Sequence, residues 1–123
     1  MVRIMRSIAL ALAIAGCAAP ALAADPEILD VQVARTGGTH SVDVTLAHPD
    51  TGWDHYADGW EVLDAEGNRL GYRLLHHPHV NEQPFTRALV SFDLPEGTRE
   101  IFVRAHCSVD GWGEARFRVV IAP

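Results

Sequence analysis

The chain has 123 residues, 10 arginines and no lysine against 16 acids, and a net charge of −6. That length gives one modest domain with one core. The acidic balance argues against nucleic acid or an anionic membrane surface as partner and suits cations.

The first segment in chain order reads as a leader. Arg3 and Arg6 precede the apolar run IALALAIAG, which is too short to span a bilayer, and Ala21-Leu22-Ala23 is a small-residue cleavage site. Residues 1–23 are therefore expected to be a secretory signal peptide and residues 24–123 a single domain. Ile14-Ala15-Gly16-Cys17 also fits a lipoprotein signal that ends before Cys17. Either route sends the protein out of the cytoplasm, to the periplasm, with a membrane anchor only if Cys17 carries lipid. Cleavage removes two arginines, leaving eight against 16 acids, a net charge of −8. Cys107 then has no disulfide partner in an oxidising compartment, so burial, a metal or a chemical role must account for it.

Short alternating runs follow. ILDVQVAR (28–35) places Leu29, Val31 and Val33 on one face, and SVDVTLA (41–47) places Val42, Val44 and Leu46 on one face. WEVLD (60–64) and RLGYRLL (69–75) flank the turn AEGN. ALVSFDL (88–94) leads to the turn PEGT. EIFVRAH (100–106) alternates Ile101, Val103 and Ala105 against Phe102, Arg104 and His106, and ARFRVVIA (115–122) carries Phe117, Val119 and Ile121. Period-two alternation without a helical period predicts an all-β fold, an immunoglobulin-like antiparallel β-sandwich of about seven strands.

Connections 36–40, 65–68 and 95–99 are short, whereas 48–59, 76–87 and 107–114 are long. In an antiparallel sandwich, short and long connections that alternate put the three long loops at one end. Those loops and their edges hold six of the seven histidines, His48, His55, His76, His77, His79 and His106, with Cys107 and all three tryptophans. Long loops on a rigid sandwich are where function is usually carried. Imidazole and thiolate are ligands for zinc, iron and copper. Asp50, Asp54, Asp58 and Asp110 are available to complete a shell or orient the rings, and the tryptophans to wall it from solvent. The competing reading makes Cys107 a small buried hydrophobe, since it continues the inward face of Ile101, Val103 and Ala105. His106 points to the opposite face and is not expected as a direct ligand. Tyr56 and Trp60 are expected to pack. Motifs for a serine nucleophile elbow, a phosphate-binding glycine loop, C-x-x-C or H-E-x-x-H do not occur.

Two stretches carry a family resemblance. TLAHPDTGWDHYADGWEV and FDLPEGTREIFVRAHCSVDGWG resemble, in order and spacing over about 48–112, the metal-binding segments of the desulfoferrodoxin and superoxide reductase family. The resemblance implies an immunoglobulin-like sandwich and a mononuclear iron that reduces superoxide to hydrogen peroxide. It matches three of that family's five ligands: His48, His55 and Cys107. Asp110 stands where the family has a histidine. The family's first histidine and its accompanying lysine have no counterpart, and His48 and His55 lie one residue further apart than the family's pair. His77 and His79, in an inserted HHPH run, are candidates to fill the gaps.

The expectation is thus an exported, iron-type metal-binding sandwich, redox-active if its altered shell permits. Its metal residues would be His48, His55, Cys107, Asp110, His77 and His79. Activity would require an electron-donor protein and a small-molecule substrate. The alternatives are a non-enzymatic copper or zinc carrier or sensor, and an immunoglobulin-like protein-interaction module.

Overall fold

A computed structural model describes residues 25–122; the expected leader and Cys17 lie outside the described residues. Eight strands follow in order: β1 (Glu27–Thr36), β2 (Thr39–Ala47), β3 (Ala57–Leu63), β4 (Arg69–Leu74), β5 (Phe85–Phe92), β6 (Glu100–Cys107), β7 (Gly111–Trp112) and β8 (Phe117–Val120). They form two antiparallel sheets, β1-β2-β5 and β4-β3-β6-β7, with β8 also paired to β6. The architecture is the expected all-β sandwich. The eighth strand is the two-residue β7.

The alternation in the sequence becomes the core. Val42, Val44 and Leu46 of β2 and Ile101, Val103 and Ala105 of β6 turn inward with Val31, Trp60 and Val62. Burial of such side chains supplies about 1.5–3 kcal/mol each, which holds the two sheets together. One expected core residue is misplaced. The β1–β2 register shifts between Ile28 and Asp30, so Leu29 is the extra residue of a bulge and is 44% exposed. Ile28 packs against the core instead.

β3 begins three residues earlier than the sequence predicts. Ala57 pairs with Cys107, at the far end of β6. That pairing delivers the start of β3 and the end of β6 to the same edge of the sandwich, where the long connections converge.

Candidate metal centre

The three long connections are tied together by side chains. Asp50, in the 48–56 connection, has a carboxylate fully shielded from solvent. Its Oδ1 accepts from His48 Nδ1 at 2.6 Å and from the Ala57 N–H at 2.9 Å, and its Oδ2 accepts from the His79 N–H at 2.8 Å. Gln83 adds a second tie: the His48 N–H donates to its Oε1 at 3.0 Å, and its Nε2 donates to the His79 carbonyl at 2.9 Å. On the other side Ser108 N–H donates to the Tyr56 carbonyl, and the Tyr56 N–H donates to Ser108 Oγ.

Within this frame, ligand atoms of His48, His55 and Cys107 lie within 4.8 Å of one another. Each arrives by a different route. His48 follows the end of β2. His55 is folded back by a tight turn in which its N–H donates to the Gly52 carbonyl at 3.2 Å, bringing its ring centroid 5.0 Å from that of His48. Cys107 continues the inward face of β6 and is fully buried.

His48 Nδ1 is taken up by Asp50, so Nε2 is the ring nitrogen left for a ligand, and that atom is buried with no hydrogen-bond partner. His55 Nε2 is likewise buried and without a hydrogen bond. Buried nitrogens left unpaired are costly, which suits a ligand that is meant to be there. A carboxylate behind a ligating imidazole is the usual outer support of a metal-bound histidine. The donor set therefore fits a transition-metal ion.

Asp110 sits at the rim. Gly111 takes a positive φ of 79°, turning the chain so that it pairs back onto Cys107. The turn brings Asp110 Oδ2 to 3.6 Å from Cys107 Sγ, which donates to it, and to 3.4 Å from His55 Nε2. Burial pushes the Cys107 thiol up from its ordinary value, against the backbone N–H groups of Asp110 and Val109, which favour the thiolate.

His77 and His79 form a separate pair, with ring centroids 4.6 Å apart. His79 is buried, stacked on Phe85 at 3.8 Å, and its Nε2 accepts from Arg87 at 2.9 Å. Burial first, then Arg87 and His77, lowers its pKa. Its backbone, through Asp50, is what reaches the candidate centre. His77 is exposed, and its Nδ1 donates to the Pro78 carbonyl. His106 faces away, as expected, bonded to Asp58 and packed edge-on to Trp112 at 4.8 Å.

The tryptophans do not form the wall expected of them. Trp60 belongs to the core, Trp112 lies on the outer face under Arg104, and Trp53 is 69% exposed beside Tyr56. Gln83 and Ser108, which hold the loops in place, carry no sequence signal that distinguishes them from ordinary loop residues. Asp50 was one of four aspartates suited to orient a ring, and only the folded chain singles it out.

No protein-family model matches the chain. A protein of Halomicrobium mukohataei named "Putative lipoprotein" is 41% identical over 90 residues, covering 72% of this chain and 44% of that protein. The chain thus spans less than half the length of this relative. Among solved structures, a superoxide reductase (1Fe-SOR) from Giardia intestinalis aligns at a TM-score of 0.45 and 19% identity, covering 74% of this chain and 95% of that chain.

Proposed function

We propose that this protein is an exported metal-binding β-sandwich whose mononuclear centre is held by His48, His55 and Cys107. The observation that carries this reading is the convergence of two imidazoles and one thiol, with ligand atoms within 4.8 Å and both Nε2 atoms buried without a hydrogen bond. A structural cysteine would need no such company. Export is supported by the leader-like segment 1–23 and fits the name of the Halomicrobium mukohataei relative.

Iron is the metal that the sequence resemblance brings, and with it superoxide reduction fed by an electron-donor protein. Bound iron would supply one-electron chemistry, tuned by the thiolate. The chain's own part would be to orient the His48 ring through Asp50 and to bury the sulfur beside two backbone N–H groups. A second reading, a non-enzymatic zinc or copper carrier, is favoured by the carboxylate of Asp110 at the position where the family has a histidine. The test is elemental analysis of protein purified from the periplasm, with Cys107→Ser alongside. The proposal expects about one equivalent of iron, zinc or copper, reduced in the variant. A metal-free protein that also binds none on titration would leave a plain interaction module.

A further inference from the structure

Asp110 is placed as a ligand is placed. Around a tetrahedral ion with ordinary zinc bond lengths, a nitrogen and an oxygen ligand stand about 3.3–3.4 Å apart, and a sulfur and an oxygen about 3.5–3.6 Å. Ligands at right angles, as in an octahedral or square-based shell, would stand about 2.9 and about 3.1 Å apart at the same bond lengths. Asp110 Oδ2 is 3.4 Å from His55 Nε2 and 3.6 Å from Cys107 Sγ. Both separations match tetrahedral edges.

Charge points the same way. A thiolate and a carboxylate together offset a divalent ion, while His48 and His55 contribute neutral nitrogens. The buried, unpaired Nε2 of His48 marks the inner side of the same set. Asp110 itself comes from the turn that pairs Gly111 back onto Cys107, which sets it beside the three.

We infer that Asp110 is the fourth ligand of a closed, four-coordinate site that takes a zinc-type divalent ion and leaves no position for a substrate. This rests on the metal-binding reading of His48, His55 and Cys107, and within it favours the metal carrier over superoxide reduction, which needs an open position. Closed four-coordinate sites hold metal, and catalytic ones keep a position open. The three inner ligand atoms, within 4.8 Å of one another, must still draw together by up to roughly 1.2–1.5 Å to reach such edges.

Cobalt(II) is the probe, because its visible spectrum reports coordination number. The full exported chain is loaded with cobalt and titrated with azide, as are Asp110→Ala and Asp110→Asn. The wild type should show the intense bands of tetrahedral cobalt with a sulfur charge-transfer band, unmoved by azide. Asp110→Ala should bind cobalt more weakly by at least the roughly 10- to 100-fold that loss of an outer-shell partner costs, and, as the mark of a lost direct ligand, respond to azide at the opened position. Asp110→Asn keeps the turn, and circular dichroism checks that both variants fold. A weak five- or six-coordinate spectrum in the wild type, or an azide response equal to the variant's, overturns the inference and leaves the metal site standing. So does an affinity in both variants within about threefold of wild type. If the wild type takes up no cobalt, the metal-binding reading itself fails, and Asp110 is only a hydrogen-bond acceptor for Cys107.

Discussion

Asp50→Ala removes the one acceptor shared by His48 Nδ1, the Ala57 N–H and the His79 N–H. Each buried donor left without a partner costs about 1–3 kcal/mol, so three independent losses would reach roughly 3–9 kcal/mol. The upper part of that range is relieved, because the vacated space is polar and admits a water that serves some of the donors. About 3–5 kcal/mol remains, as for other buried charged groups that lose a partner. A domain of this size holds only about 5–15 kcal/mol in all, so the variant should unfold at much lower denaturant. Asp50→Asn keeps Oδ1 for His48 and Ala57 but turns an amide N–H₂ towards the His79 N–H. Its cost should be about 1–3 kcal/mol. The assay is urea unfolding of the metal-free protein, followed by tryptophan fluorescence, with Trp60 in the core as reporter. Losses within about 0.5 kcal/mol of wild type for both variants would show that Asp50 does not organise these loops.

Other consequences are as direct. The Cys107 thiol is raised above its ordinary value of 9.0 by burial, so metal uptake displaces its proton throughout the neutral range. Apparent affinity should rise about tenfold per pH unit from this proton between about pH 7 and pH 9, read by calorimetry in buffers of different ionisation enthalpy. No proton release at pH 8 would contradict a thiolate ligand. His79, lowered below the ordinary imidazole value of 6.5 by burial, stabilises the fold fully above that value. Its contribution is lost as pH falls through its lowered pKa, because the unfolded chain takes up the proton first. His79→Phe should flatten the fall in unfolding free energy below about pH 6.5; an unchanged slope would refute this. Glu61, nearly buried, is held by Arg69 at 2.7 Å and Arg104 at 2.6 Å. Glu61→Ala should cost about 1–3 kcal/mol in urea unfolding, since both arginines are partly exposed and regain water.

The strands were legible wherever one face is buried and the other is not. β2 and β6 show this most clearly, because their inward residues are apolar without interruption. The sequence predicts β3 only from Trp60, because Ala57, Asp58 and Gly59 have the composition of a turn. They extend the strand through pairing with β6, which is a long-range contact and leaves no local period. β5 likewise starts at Phe85, three residues before the apolar alternation begins. The bulge that expels Leu29 is a register event between two strands, invisible in either alone.

For the candidate site, His48, His55 and Cys107 stood out through residue type and loop position, and folding brings them together. His77 and His79 had the same credentials. Their fate was decided by Phe85 and Arg87, which offer His79 a stacking face and a donor. The gathering of three donors on Asp50 depends on where two loops cross, which composition and spacing do not encode.

The most direct test of the account is X-ray absorption on the metal-loaded, full-length protein. One sulfur at about 2.3 Å and imidazole nitrogens at about 2.0–2.1 Å are predicted, with the sulfur gone in Cys107→Ser. A shell of only nitrogen and oxygen in the wild type, or one that the substitution leaves unchanged, would contradict a centre built on His48, His55 and Cys107.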